Sequence, residues 1–458
     1  MSCAVIRDDS LCAVTRHARG SGSHRQLVPL LAVGVAASAL AVIGALAFDD
    51  GTSPTAGPPV PPAPSASAPV EVTPEPEPDA VFTVVAGGDV LPHLPVHTSA
   101  RTDGGYDFSA VLAGTDAWVG GADLALCHLE VPLTAAGERP RGYPVFAADA
   151  HLATDLREQG WDGCSTASNH SVDQGEGGVV ATLDALDSAG LGHVGTARSA
   201  AEAAAPALYT LERAGRTIVV AHIAGTYGTN GMPIPASAPW SVTLLDGADL
   251  VGRAQAARAA GADLVIVSMH AGVEYSTPPT DQQVELASLL ATSGQVDLLI
   301  GHHAHVPQPT ALLPGGPDGQ GMWVAYGLGN YVSNQDADCC DARTDSGLLV
   351  TATVTQPAGA PARVTGFEWT AITVDRLGKH TVRVLPDIAA AGTGSLAPAA
   401  VAERYDRVRT AVGAAAPERL SPPVPTGAPP TVAPRVVDAA PSAFFPGSGS
   451  ASGSVDQS

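Results

Sequence analysis

Apolar runs alternate with helical patterns along this chain. VFTVVAGG (81–88), ADLALCHL (122–129), DGCSTAS (162–168), TIVVAHIAG (217–225), ADLVIVSM (262–269) and VDLLIG (296–301) are short and largely unbroken by charge, as strands buried on both faces are. Between them DAHLATDLREQG, GGVVATLDALDSAG, DLVGRAQAARAAG and DQQVELASLLATSG read as helices, each closed by a Gly suited to a left-handed cap. Strand, loop and helix in alternation predict a largely parallel, helix-covered sheet. The later runs MWVAYGLGNYV, GLLVTATVTQ and ARVTGFEWTAITV lack intervening helices. They predict a second, more antiparallel sheet packed on the first.

The flanks follow other patterns. Residues 27–48, LVPLLAVGVAASALAVIGALAF, carry no charge and as a helix are long enough to cross a hydrocarbon core of roughly 30 Å. Arg7, Arg16, Arg19 and Arg25 outnumber Asp8 and Asp9 before this run, and Asp49 and Asp50 follow it, which orients residues 1–26 to the cytoplasm. Everything after Phe48 is then outside. A cleaved signal peptide is the alternative, since small residues surround Ala47; the length of the run and its leader favour an uncleaved, single-pass anchor in the cell membrane. Either way the folded part is exported. Residues 49–80 are Pro-rich and predict an extended spacer. Residues 413–458, dominated by Pro, Ala, Ser and Gly, predict a disordered tail. One large domain over 81–412 remains, without internal repeats.

Charge and cysteine usage narrow the function. With 23 Lys and Arg against 45 Asp and Glu, the net charge is −22, which disfavours nucleic acid as a partner. Cys3 and Cys12 precede the apolar span, while Cys127, Cys164, Cys339 and Cys340 follow it, an even number compatible with disulfides in an oxidising compartment. Cys127 and Cys164 fall on neighbouring predicted strands and are expected to be small, buried core residues, with a bridge as the alternative. Cys339 and Cys340 are adjacent in the acidic loop NQDADCCDARTD and can pair with each other only in a strained ring.

The chemistry sits where the predicted strands end. Asp89 follows the first, His128 and Glu130 close the second, and Asn169 and His170 follow the third. His270 closes the strand ADLVIVSM, and His302, His303 and His305 follow VDLLIG. Singly, Asp89 is accounted for as a turn cap, Glu130 as a solvated loop residue and Asn169 as a partner for turn backbone. Together they bring carboxylate, amide oxygen and imidazole to one edge of one sheet, a donor set that suits divalent ions of the Mn, Fe or Zn type. In HAGVEYSTPPTDQQ (270–283), Glu274 and Tyr275 then stand beside His270 as orienting or wall residues, and Thr280 or Asp281 caps the next helix. A salt bridge at the helix approach is an equal account of Glu274. Asn330 in YGLGNY lines the same mouth, along with Tyr326 and Gly329, or simply caps a tight Gly turn.

Six motifs in order, GGDVLPH, ALCHLEVPL, ASNHSVDQGEGGVVATLDALDSAGLGHVGTARS, HAGVEY, GHHAHVPQP and YGLGNYV, resemble the CapA, or PgsA, family of poly-γ-glutamate capsule synthesis proteins. That family belongs to the calcineurin-like metallophosphoesterase superfamily, and the resemblance covers residues 83 to about 335. It implies a four-layer α/β/β/α sandwich, here preceded by one transmembrane helix, and two metal sites. By this resemblance Asp89, Glu130 and His305 hold one ion, Glu130, Asn169, His270 and His303 hold the other, and His170 is the general acid.

Three positions depart from the pattern. Leu91 stands where the superfamily has a His, so that His93 becomes a substitute or one metal binds weakly. His128 replaces an Asn as an added ligand or outer donor, and Ala271 replaces a Trp. The resemblance implies a membrane-anchored extracellular role in capsule or envelope polymer synthesis or export, alongside membrane synthase subunits. A secreted metal-dependent phosphoesterase acting on a small or lipid-linked phosphate is the alternative, and a peptidase or amidase using the same metals a third.

Overall fold

A computed structural model describes residues 77–435 and Gly57. The apolar run at 27–48, most of the Pro-rich spacer and residues 436–458 lie outside the described residues. Among the described residues, no helix is long and apolar enough to cross a membrane.

The strands in chain order are β1 (Ala80–Val90), the small hairpin β2 (Arg101–Thr102) and β3 (Gly105–Tyr106), then β4 (Leu124–Leu129), β5 (Gly163–Ser165) and β6 (Gly192–Val194). A hairpin follows, β7 (Ala207–Arg213) and β8 (Arg216–Thr226), then β9 (Leu264–His270), β10 (Leu298–His302), β11 (Thr310–Leu313) and β12 (Met322–Ala325). The chain continues through β13 (Asn330–Val332), β14 (Ser346–Gln356), β15 (Arg363–Asp375), β16 (Thr381–Val384) and β17 (Thr431–Val432). One sheet runs β16-β15-β14-β1-β4-β5-β6, with β13 also on β1; the other runs β11-β12-β10-β9-β8-β7-β17.

Three apolar layers explain the stacking. Phe82, Val84 and Leu126 of the first sheet meet Leu211, Val220 and Ile266 of the second in a core between the sheets. On the outer face of the first sheet, Val85 and Ala125 pack against Leu152, Leu156 and Leu183 of helices His151–Gln159 and Gly175–Ala189. Val265 and Leu299 of the second sheet pack outward on Leu250, Leu286 and Leu290 of helices Gly247–Ala259 and Asp281–Ser293. Strands buried on both faces carry the unbroken apolar runs seen in the sequence, and the layers form an α/β/β/α sandwich. Thr280 starts the last of these helices with a capping box to Gln283, and Gly160, Gly190 and Gly294 end three of the four with positive φ.

Three expectations are corrected. The late runs do not form a sheet of their own: β12 joins the second sheet beside β10, β14 extends the first sheet antiparallel to β1 with β15 antiparallel to β14, and β8, β9 and β10 build the parallel centre of the second. An apolar run records burial of a strand, not its neighbour. Residues 413–435 are not a loose tail. Trp369 donates from its ring nitrogen to the Ala416 carbonyl at 3.0 Å, the Thr426 amide donates to Asp123 at 2.7 Å, and β17 pairs with β7. A Pro-rich segment that donates little still fits a sheet edge, and just before β17 the Ala428 carbonyl accepts from Arg213, itself ion-paired with buried Asp123 at 2.7 Å. Finally, Cys127 and Cys164 are a disulfide rather than free core thiols; parallel pairing of β4 and β5 sets them directly opposite, with Cα atoms 4.4 Å apart. Cys339 and Cys340 are unbonded.

Candidate metal centre

Strand ends from both sheets build the site. Asp89 lies near the end of β1 in register with His128 on one side and Asn330 on the other. Its amide donates to the Gly329 carbonyl at 2.9 Å, and a Cβ at Gly88 would collide with that carbonyl, so the GGD sequence permits this close approach. Glu130 leaves the end of β4, and Asn169 and His170 occupy the turn after β5. From the second sheet come His270, closing β9, and the turn after β10. In that turn His303 and His305 take φ of 87° and 57°, left-handed values that non-glycine residues hold only when surroundings impose them.

The donors expected at one sheet edge therefore converge from two. Single-strand patterns carry no record of which sheet a strand joins. Asp89, Glu130, Asn169, His270, His303 and His305 are all buried. Three overlapping groups have donor atoms within 4.8 Å of one another: Asp89, Glu130 and His305; Glu130, His270 and His303; and Asp89, His128 and His270. Asn169 joins the second group, its Oδ1 standing 2.8 Å from His270 Nε2. His305 Nδ1 stands 3.1 Å from Asp89 Oδ2 and 3.1 Å from Asn330 Oδ1, and its Nε2 is 3.6 Å from Glu130.

Both carboxylate oxygens of Glu130 are buried without a hydrogen-bond partner, as is Nδ1 of His303. A native interior rarely leaves such atoms unmatched, and a carboxylate facing two imidazole groups is matched well by divalent cations. The donor set thus fits metal. At His270 and His303 the electrostatics agree: burial depresses both, helped by the surrounding imidazoles, with His303 lowered to about 3. Both rings stay neutral, the form that donates a lone pair. Burial pushes Glu130 well up, His305 opposing and Asp89 adding to the rise. Burial acts to lower His305 too, but Glu130 and Asp89 prevail and raise it to about 10. Burial likewise raises Asp89, but His302 and His305 hold it well below the usual carboxylate range.

His170 is set apart from the donors. Its Nδ1 donates to Asp173 Oδ2 at 2.7 Å, and the Phe146 ring stands edge-on at 4.8 Å. Asp173 also accepts from the Phe146 amide at 2.7 Å, so the carboxylate is fixed and orients the imidazole. His170 is 7% exposed against 1% for Asn169, which puts it toward the opening.

The remaining candidates divide. His128 and His302 stack at 4.0 Å between the sheets, and His302 belongs to none of the three donor groups. Asn330 is fully buried and fixes His305 while donating to Gln335 and the Thr344 carbonyl. Tyr275 is half-buried, its ring 6.4 Å from His305, and burial with Glu274 beside it pushes its phenol well up. Glu274 is exposed at the rim. Tyr326, expected at the mouth, packs instead in the outer core of the second sheet. Leu91 is buried in the first sheet's outer core, and His93 accepts from the Asn334 amide, outside every donor group.

Sequence reasoning missed Tyr227, whose ring lies 4.6 Å from that of His303, and Asn230, which accepts from Asn169 at 3.2 Å. Both follow β8, whose end carried no charged or imidazole signal. Asp173 was visible three residues after His170 and was passed over.

A two-sheet sandwich with carboxylate, amide and imidazole donors gathered at its strand ends defines the class, a layered α/β protein with a candidate metal cleft. The chain belongs to the bacterial capsule synthesis protein family PGA_cap, whose sequence model it matches over residues 83–335. It is 30% identical over 296 residues to a "probable polyglutamine synthesis accessory protein" of Mycobacterium tuberculosis, covering 56% of this chain and 73% of that one. It is 29% identical over 194 residues to the capsule biosynthesis protein CapA of Bacillus anthracis, covering 42% and 44%. Similar solved structures include the NAD nucleotidase of Haemophilus influenzae (TM-score 0.41, 12% identity, 73% of this chain and 63% of that one). The calcineurin-like phosphoesterase YfkN of Bacillus subtilis is another (TM-score 0.36, 13% identity, 72% and 97%).

Proposed function

We propose that this chain acts outside the cell in synthesis or export of a capsule or envelope polymer of the poly-γ-glutamate type, anchored by residues 27–48. Membrane synthase subunits and the polymer are its partners in this reading. Family membership and the relatives' roles support it, and the Cys127–Cys164 bond suits an exported domain. Its cleft holds divalent ions of the Mn, Fe or Zn type, two per chain. The observation that carries the metal is Glu130, buried, unpartnered and common to two donor groups. Asp89, Glu130 and His305 hold one ion; Glu130, Asn169, His270 and His303 hold the other.

A second reading, hydrolysis of a small or lipid-linked phosphate, is favoured by the His170–Asp173 pair, which an ion kept only for structure does not need. Bound metal supplies Lewis-acid activation of a phosphoryl oxygen and of water. The protein holds His170 with its proton on Nδ1 toward Asp173, so that Nε2, once protonated, delivers a proton to the leaving oxygen. Tyr227 and Tyr275 wall the opening.

Assays of the detergent-solubilised full chain with Mn²⁺ on phosphomonoester and phosphodiester test substrates separate the two. Metal-dependent turnover supports hydrolysis. Bound metal without turnover leaves polymer handling alone. Loss of the domain when protease is added outside intact cells tests the topology, and its protection overturns it.

A further inference from the structure

A row of hydrogen-bonding groups runs inward from the candidate metal centre. Ser165, at the end of β5, lies opposite His128 of β4 in register, and its Oγ is 2.7 Å from His128 Nδ1. His128 Nε2 is 2.9 Å from His270 Nδ1, and His270 Nε2 is 2.8 Å from Asn169 Oδ1. Ser165 and His128 are fully buried, and the His128 ring is held at 4.0 Å against His302. No solvent reaches this row to exchange partners.

Proton counting restricts it. A neutral imidazole has one N–H and one lone pair, so the two facing nitrogens of His128 and His270 hold one proton between them. If His270 Nε2 gives its lone pair to an ion shared with Asn169 Oδ1, the His270 proton sits on Nδ1 and is donated to His128 Nε2. His128 then carries its own proton on Nδ1 and donates it to Ser165. A hydroxyl accepts as readily as it donates, so Ser165 can receive that proton in its hydrogen bond.

We propose that His128 and Ser165 are positioning residues that lock His270 as the Nδ1–H tautomer, with Nε2 free for metal. This rests on the metal reading above. Metal-bound histidines generally donate their second N–H to a fixed acceptor; here another imidazole serves, backed by a serine. His128 is in this role an outer partner and not a ligand, although it also lies within reach of Asp89 and His270 as a donor. Both of its nitrogens are already engaged, at 2.7 and 2.9 Å.

The test uses the full chain in detergent and Mn²⁺ as the probe. His128→Phe keeps a flat ring without nitrogen and is expected to weaken Mn²⁺ binding by about 10- to 100-fold, with unchanged stoichiometry at saturation. Ser165→Ala weakens it less, and Ser165→Thr restores it. In the Zn²⁺-loaded wild type, ¹⁵N-histidine spectra should show His270 protonated at Nδ1. If His128→Phe fails to fold, Ser165→Ala and the His270 spectrum still decide. Loss of an ion at saturation in His128→Phe makes His128 a ligand and overturns the proposal. So do wild-type affinity in both variants or an Nε2–H signal for His270. A wild-type chain that binds no ion removes the metal reading itself, which the other outcomes leave standing.

Discussion

The two sheets bring unlike atoms to the cleft. Strand ends of the first supply oxygen, from Asp89, Glu130 and Asn169, while the second supplies nitrogen, from His270, His303 and His305. Each donor group combines residues of both sheets. The first sheet is also covalently stapled, by Cys127–Cys164 between the strands that lead to Glu130 and Asn169; among the described residues the second has no such bond. The oxygen half is held by its own sheet, whereas the nitrogen half is placed by a strained turn and by packing across the central core. Ion binding in such a site is coupled to the pairing of the sheets.

Removing the ions should break the comparison most completely. Chelation is expected to take metal-dependent hydrolysis to background and to lower the unfolding temperature, because an ion at about 100 times its dissociation constant stabilises the folded chain by about 2.7 kcal/mol. An unchanged melting curve after chelation would show that the ions do not join the sheets. Next in size is His170→Ala, within the oxygen half but outside the donor groups. Hydrolysis should fall by about 10²- to 10⁴-fold with metal content intact. Retained turnover would move the acid role to another group, His302 being the next to test.

The staple comes third. Replacing Cys127 and Cys164 together by Ala opens a loop of 37 residues, and urea unfolding should record a loss of about 3–4 kcal/mol. Equal stability would mean that packing alone orders the oxygen half. The smallest effect concerns His222 of β8, fully buried, its Nε2 2.8 Å from Ser268 Oγ. Burial, assisted by His302 and Arg435, lowers it to about 3. Its folded value lies below the unfolded one, so its neutral form costs nothing above about pH 6.5, and stability is lost as pH falls from there toward 3. In His222→Gln the acid slope of stability should shrink by about one proton. An identical slope would reassign acid sensitivity to other groups.

Much of this was legible in the sequence. Continuous apolar runs exposed the central strands, and dense histidines at strand ends marked the cleft, because parallel sheets present their strand ends to ligands. Sheet membership was not legible, since β1 and β9 read alike. The disulfide needed the register of β4 against β5. Tyr227 had no local signal, and its place beside His303 depends on two sheets meeting. His128 was legible as an added ligand or outer donor, but Ser165 looked like an ordinary strand residue, and only their alignment across β4, β5 and β9 makes them a row. The 413–435 strap was masked by its composition, which signals disorder unless a sheet edge and buried Arg213 receive it.

Metal analysis of the purified full chain, wild type beside Glu130→Gln, bears most directly on the centre shared by the two sheets. About two transition-metal ions per wild-type chain are expected, with loss of metal in Glu130→Gln because both sites use that carboxylate. A folded wild-type chain free of bound metal, or a Glu130→Gln chain that keeps both ions, would contradict the account.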